Sequence, residues 1–211
     1  MASGEAVGGL IYRPLCAERS WALGCKREGT YRSKLASRPM PSAPAFLCSN
    51  GGVSPFLSAL QAELGYEAFR AGGAGNKALL LLELSGACYI QDRGVSRWDT
   101  CAAEAVIEAH EGLFVRLDVA IDSDVELVSA AGARYSYRKG ETNSVFVPGL
   151  SKLTKYNARE GVPLGGTATD VAQVKSYANL CGVFALSPAA DPKAVRSALK
   201  LIASQVAPSY D

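Results

Sequence analysis

The chain has one histidine and six cysteines in 211 residues, and no two cysteines are spaced C-x-x-C. A structural zinc site needs clustered Cys or His pairs, so that class is excluded. Cys16, Cys25, Cys48, Cys88, Cys101 and Cys181 are scattered and read as small buried residues of a reducing, intracellular compartment, most simply the cytoplasm. Long apolar runs are also missing. The longest, residues 78–82, falls far short of the roughly 18 residues that a membrane-spanning helix needs. Nor is there an excess of one charge. With 22 basic and 20 acidic residues the net charge is +2, and no global field points to nucleic acid or a membrane surface. The opening residues, Met1-Ala2-Ser3-Gly4-Glu5, lack the basic and apolar regions of a secretory signal. The basic, Ser-containing stretch 26–38 lies too far in for a transit peptide. What remains is an ordinary globular composition, 48% hydrophobic and 20% charged, in a length that fits one domain or slightly more.

The pattern along the chain is that of strands and helices in alternation. Residues 8–14 form a short apolar strand, and 20–34 read as a hairpin around Gly24 and Gly29. A Pro/Ser-rich connector at 37–44 divides residues 1–44, a small sheet region, from an α/β domain at 45–211. In that domain residues 45–48 are a strand. Ser54 is placed to cap a helix that starts on Pro55, carries Phe56, Leu57, Leu60 and Leu64, and stops at Gly65. A strand at 67–71 and a helix capped by Asn76 and running through Glu83 follow. Next come a strand at 87–91, a helix at 100–110 and a strand at 113–117. His110 ends the 100–110 helix, where it meets the helix dipole. The acidic run Asp118, Asp122, Asp124, Glu126 reads as a solvated loop. Residues 182–186 form the last strand, and Asp191-Pro192 open an amphipathic helix bearing Val195, Leu199, Ile202 and Val206. The α/β repeat implies a layered sandwich with a largely buried sheet. Between about 132 and 178 the pattern is lost, and a segment this long is expected to be functional, disordered or an irregular insertion.

Two motifs carry chemistry. Gly72-Gly73-Ala74-Gly75-Asn76-Lys77 opens one helix and Trp98-Asp99-Thr100-Cys101-Ala102-Ala103-Glu104-Ala105 opens the next. The first lets backbone come close to a ligand and follows it with a cation; the second seats a carboxylate at a helix N-terminus, with Trp98 expected to pack and fix the turn. Together with Gly9-Leu10-Ile11-Tyr12-Arg13-Pro14 and Asn179-Leu180-Cys181-Gly182-Val183-Phe184-Ala185, they resemble the inositol monophosphatase superfamily of Mg²⁺-dependent phosphomonoesterases. The glycine-rich segment makes the sequence look nearest to the 3′(2′),5′-bisphosphate nucleotidase branch.

The resemblance implies an α/β/α layered sandwich, Asp99 as a metal ligand for Mg²⁺, and Gly73 and Lys77 as nucleotide-binding positions. The implied reaction removes the 3′-phosphate of adenosine 3′,5′-bisphosphate by metal-activated water. Asn50, in Cys48-Ser49-Asn50, stands where the family has a substrate-binding histidine, and Glu111-Gly112 replaces its Gly-Gly. The family's other metal ligands, and its general-base threonine, belong to elements that would lie before residue 1. No catalytic residue is therefore identifiable, and the expectation is a fold truncated at its N-terminus, with residues 1–44 the remnant of the N-terminal sheet domain. Four functions follow: a bisphosphate nucleotidase lacking its N-terminal catalytic half, an inositol polyphosphate 1-phosphatase relative, an inactive phosphatase-derived subunit of a larger assembly, or, last, a nucleotide-binding module without catalysis that uses Gly73 and Lys77. The partners implied are a nucleotide or inositol phosphate in the first two cases and other proteins in the third. For the third, the segment 132–178, with Tyr135, Tyr137, Phe146, Pro148 and Tyr156, is expected to act as a docking arm.

Overall fold

A computed structural model describes residues 4–15, 19–33, 41–92, 95–123, 126, 132–138, 178–179 and 181–209. The first three strands, β1 (Gly8–Arg13), β2 (Ser20–Cys25) and β3 (Gly29–Arg32), form an antiparallel sheet in that order. Alternation sends Ile11 and Ala22 inward while Leu10, Tyr12 and Tyr31 face outward. The hairpin forms as expected, but its turn is made by residues 26–28 and not by Gly24. Gly24 lies inside β2 for a packing reason: a Cβ there would stand 2.8 Å from the backbone of Val106.

Seven further strands follow among the described residues. They are β4 (Ala45–Cys48), β5 (Glu67–Arg70), β6 (Cys88–Gln91), β7 (Val95–Ser96), β8 (Leu113–Val115), β9 (Ala178–Asn179) and β10 (Val183–Leu186). Five of them build a mixed sheet in the order β5-β4-β6-β10-β8. The strands β5, β4 and β6 run parallel, and β10 is antiparallel to both β6 and β8. Residues of β4, β8 and β10 are buried throughout, which explains why they read as continuous apolar runs without alternation. β7 and β9 pair with one another as a short antiparallel ladder.

Helices cover both faces of this sheet. On one face lie α1 (Pro55–Leu64) and α5 (Pro192–Ala203), whose Phe56, Leu60, Val195 and Leu199 pack with Phe46, Ile90 and Phe184. The Ser54 hydroxyl accepts from Leu57 N at 3.2 Å, Pro55 takes the first turn, and Gly65 closes the helix in a left-handed conformation (φ 63°), as the sequence reading expects. On the other face lie α2 (Ala74–Glu83) and α3 (Arg97–Ala109). Their Leu79, Leu81, Val106 and Ile107 pack with Leu47, Tyr89 and Ala185 below, and with Ile11 and Ala22 above. The α/β class holds. The sandwich has one more layer than α/β/α, because the β1–β3 sheet roofs the α2–α3 layer.

Several local expectations are corrected. Asn76 does not cap α2; Gly73 occupies that place, and the Asn76 amide donates to Gly72 O at 3.0 Å. α3 begins at Arg97, one turn or so earlier than expected. The strand expected at 113–117 ends at Val115, and a short helix α4 (Leu117–Asp122) follows where a solvated acidic loop is expected. Asp118 is buried and takes a two-pronged contact from Arg116, at 3.0 and 2.5 Å. Asp124, Phe146, Pro148 and Tyr156 lie outside the described residues. Tyr135 and Tyr137 do not project as a docking arm: both are buried with Ala6, Ala105 and Cys181. The strap 132–138 that carries them is pinned by Arg116 N to Ala133 O and by Tyr137 N to Gly4 O, each 2.8 Å.

Candidate functional site

The C-terminal ends of parallel strands are where α/β sheets gather ligand-binding loops. Here the ends of β4 and β5 lead to Ser49-Asn50 and to Ala71-Gly72-Gly73, and the latter opens α2. Gly73 adopts φ 76° and ψ 133°, a conformation that disfavours any side chain, and it supplies no side-chain cap. The N–H groups of Ala74, Gly75 and Asn76 belong to the first turn, which has no intrahelical acceptors. Asn50 is exposed and lies across the turn, its Nδ2 only 3.3 Å from where a Cβ on Gly72 would stand.

Lys77 points back beneath this turn and is only 3% exposed, which excludes a solvated surface lysine. Its ammonium lies 3.4 Å from both Ser49 Oγ and Ala71 O, and 4.9 Å from the centroid of the Tyr89 ring. Burial lowers its pKa, while Cys48 and Asp99 act in the opposite direction. Lys77 is therefore a cation held by long hydrogen bonds and a ring face, a combination in which an additional anion is favourable. Tyr89 was not legible as a site residue. It is buried in β6, donates its hydroxyl to Gln91 Oε1 at 2.6 Å, and burial pushes its pKa far up.

Asp99 sits in the first turn of α3 as half of a capping box. Ser96 N donates to Asp99 Oδ2 at 3.0 Å, and the Ser96 side chain accepts from the backbone of Asp99. Asp99 is close enough to act electrostatically on both Lys77 and Tyr89. The structure thus assembles Asn50, Gly73, Lys77 and Asp99 around one end of the sheet. Trp98 is the exception: it is 64% exposed and does not serve as the packing residue expected of it.

Magnesium takes about six oxygen ligands, commonly one or two carboxylates plus water and phosphate oxygens. Among the described residues, no group of three or more His, Cys, Asp or Glu side chains is placed to hold a metal ion. Asp99 has one oxygen committed to Ser96 N and the Lys77 ammonium in its field. The described residues alone therefore do not fit Mg²⁺. His110 is remote from this turn, with Nε2 3.2 Å from Leu23 O; burial lowers its pKa.

Behind Asp99 lies a buried polar cluster that the sequence reading missed. Thr100 Oγ1 accepts from Asn179 Nδ2 at 2.7 Å and lies 3.2 Å from the Tyr137 hydroxyl. The same hydroxyl is 2.7 Å from Glu104 Oε2, and Glu104 is 1% exposed. Burial, the largest influence, pushes the Glu104 carboxyl up to about 8. The Asn179–Thr100 bond ties the α3 turn to β9, from the far end of the chain. The signal available in the sequence was the Glu104 position on the same helix face as Thr100, one turn later.

No family model matches the chain. Over 104 residues it is 30% identical to 3′(2′),5′-bisphosphate nucleotidase 1 of Rattus norvegicus, an alignment covering 47% of this chain and 33% of that protein. Over 123 residues it is 27% identical to inositol monophosphatase 3 of Xenopus laevis, covering 52% of this chain and 33% of the relative. Among solved structures, an inositol monophosphatase from Zymomonas mobilis matches 91% of this chain and 57% of its own, with TM-score 0.47 and 10% identity. CysQ from Bacteroides thetaiotaomicron, a bacterial member of the same family, matches 52% of this chain and 49% of its own, with TM-score 0.40 and 15% identity. The chain is similar to phosphatases of the inositol monophosphatase superfamily. Within them, 3′(2′),5′-bisphosphate nucleotidases are among its relatives in sequence. It spans about a third of the length of the curated relatives it matches.

Proposed function

We propose that this chain is the nucleotide-holding portion of a bisphosphate nucleotidase-type phosphomonoesterase, acting on adenosine 3′,5′-bisphosphate. The observation that carries the reading is Lys77, a buried cation whose ammonium lies against Ala71 O beside the glycine turn that opens α2. Phosphate oxygens suit the first-turn N–H groups of α2, and the helix dipole adds to them. Asn50 and Ser49 border the turn and offer an amide and a hydroxyl. Sequence likeness to bisphosphate nucleotidases favours a nucleotide over an inositol phosphate. Removing the 3′-phosphate with Mg²⁺ requires carboxylates beyond Asp99, and the contribution of the described residues is to bind and orient. Calorimetric titration with adenosine 3′,5′-bisphosphate, and in parallel with an inositol bisphosphate, tests it. Binding of the nucleotide that is lost in Lys77→Met supports the reading; equal or absent binding of both ligands sinks it.

A second reading, a phosphatase-derived subunit of a larger assembly, draws on the outer face of the first sheet. There Leu10 is 57% and Tyr31 62% exposed, beside Tyr12. Size-exclusion chromatography of the protein from its source checks this reading, which requires a stable complex with another protein; a monomer sinks it.

A further inference from the structure

We propose that Glu104 carries a proton in the folded protein, and that this proton latches the strap 132–138 to the first turn of α3. Three oxygen contacts run in series. Glu104 Oε2 lies 2.7 Å from the Tyr137 hydroxyl, which lies 3.2 Å from Thr100 Oγ1, which lies 3.2 Å from Arg97 O. Each contact needs one proton to be a hydrogen bond. Tyr137 and Thr100 bring one each, and Arg97 O brings none. With Glu104 ionised, two protons serve three contacts. With Glu104 protonated the count closes: its acid O–H donates to Tyr137, Tyr137 to Thr100, and Thr100 to Arg97 O. Asn179 Nδ2 then fills the remaining acceptor position on Thr100, at 2.7 Å.

The surroundings agree with a neutral acid. Glu104 is buried against Tyr137 of the strap, whose hydroxyl also meets Thr100, and Thr100 in turn meets Asn179 of β9. The nearest formal charges are on Glu108, Lys26 and Arg134, and these neutralise one another in part. Glu108, one turn along α3, binds Lys26 at 2.8 Å and Arg134 of the strap at 2.5 Å. Among the described residues, Cys101 on α3, Cys181 before β10 and Tyr135 of the strap are the titratable groups in the apolar cluster that holds Tyr137. Burial dominates the resulting shift, and the carboxyl titrates near 8, within reach of ordinary conditions.

Losing that proton to solvent leaves one of the three contacts without a hydrogen. The strap retains Arg116 N to Ala133 O and Tyr135 to Gly182 O, so the change is confined to its Tyr137 end and to the turn that carries Asp99. Glu104 is thus a positioning residue for that turn, acting through Tyr137 and Thr100.

The test uses the whole chain and no ligand, so it is independent of the nucleotide reading. Infrared difference spectra of wild type against Glu104→Gln isolate the carboxyl. A protonated-acid band at about pH 6.5 that fades as pH passes about 8 is expected; no band at pH 6.5, or an undiminished one at pH 9.5, overturns the proposal. Tryptic cleavage after Arg138, beside Tyr137 at the exposed end of the strap, reads the latch. Relative to Glu104→Gln cut at the same pH, wild type is expected to be cut about fivefold faster at pH 9 than at pH 6.5. That is the population shift from losing one hydrogen bond of ordinary strength. An unchanged ratio overturns the latch. Tyr137→Phe, which removes the bridge, is expected to be cut fast at both values; a variant that keeps the wild-type pH response contradicts the relay.

Discussion

Replacing Glu104 by Gln removes one ionisable group from the interior and should change how stability depends on pH. The Glu104 carboxyl is raised from 4.5 to about 8 in the fold, whereas in the unfolded chain it ionises near its ordinary value. Between those values the folded protein holds one proton more than the unfolded chain. Stability therefore falls as pH rises through that window, by at most about 1.4 kcal/mol per pH unit, and levels off above it. Across the interval the ceiling is about 4–5 kcal/mol, a large share of the roughly 5–15 kcal/mol that holds a domain together. Glutamine is neutral in both states and has no such slope. His110 contributes an opposite trend, because its lowered pKa makes the fold gain stability as pH rises through the ordinary histidine range. Both proteins share that term, so it cancels in their difference. Urea denaturation of wild type and Glu104→Gln at pH 5, 6, 7 and 8 is the assay. The two should be comparable near pH 5 and separate steadily, with the variant ahead by about 2–5 kcal/mol at pH 8. Curves that stay parallel within about 0.5 kcal/mol would mean that Glu104 is ionised in the fold, and the reasoning fails.

Three other substitutions probe separate parts. Ser54→Ala removes both the cap on Leu57 N and the hydroxyl donor to Asp92 Oδ2 at 2.6 Å; thermal unfolding should report a loss of about 1–2 kcal/mol. Gly24→Ala places a methyl group 2.8 Å from the backbone of Val106 and should cost about 1–3 kcal/mol in a denaturant titration, with no change in the ligand site. Lys77→Met keeps a long unbranched side chain in the buried position but removes the charge that sits over the Tyr89 ring. Calorimetry should then find adenosine 3′,5′-bisphosphate bound at least about tenfold more weakly, and unchanged affinity would remove Lys77 from the site.

Elements with strong end signals were legible. Ser54-Pro55 and Gly65 bound α1, and Asp191-Pro192 open α5, because capping chemistry is local and needs no knowledge of the rest of the chain. The errors lie where the decisive neighbour is distant. α4 is six residues long, too short to carry a period, and Asp118 became buried only because Arg116 folds back over it. α3 is covered on several sides, by the sheet below, by β1 and β2 above, and by the strap. Its amphipathic pattern therefore gave no warning that Glu104 is interior while Trp98 is not. Of the candidate site, the glycine turn and Asp99 were visible as motifs. The depth of Lys77 was not, since a lysine four residues into a helix looks the same in sequence whether it points to solvent or under a loop.

The position of β10 has a consequence for how the chain is made. It leaves the ribosome after β4, β5, β6 and β8, yet it occupies the slot between β6 and β8. Until it arrives, β6 and β8 each present an unpaired edge, and Leu113, Phe114, Ile90 and their neighbours lack the strand that covers them. Folding of the sheet must wait on a contact that spans residues 116–182, which makes it slow relative to the local helices. A nascent chain stopped before residue 183 has an open, apolar sheet that invites pairing with its own kind. For this protein, escape from aggregation during synthesis depends on the promptness with which a single four-residue strand is inserted.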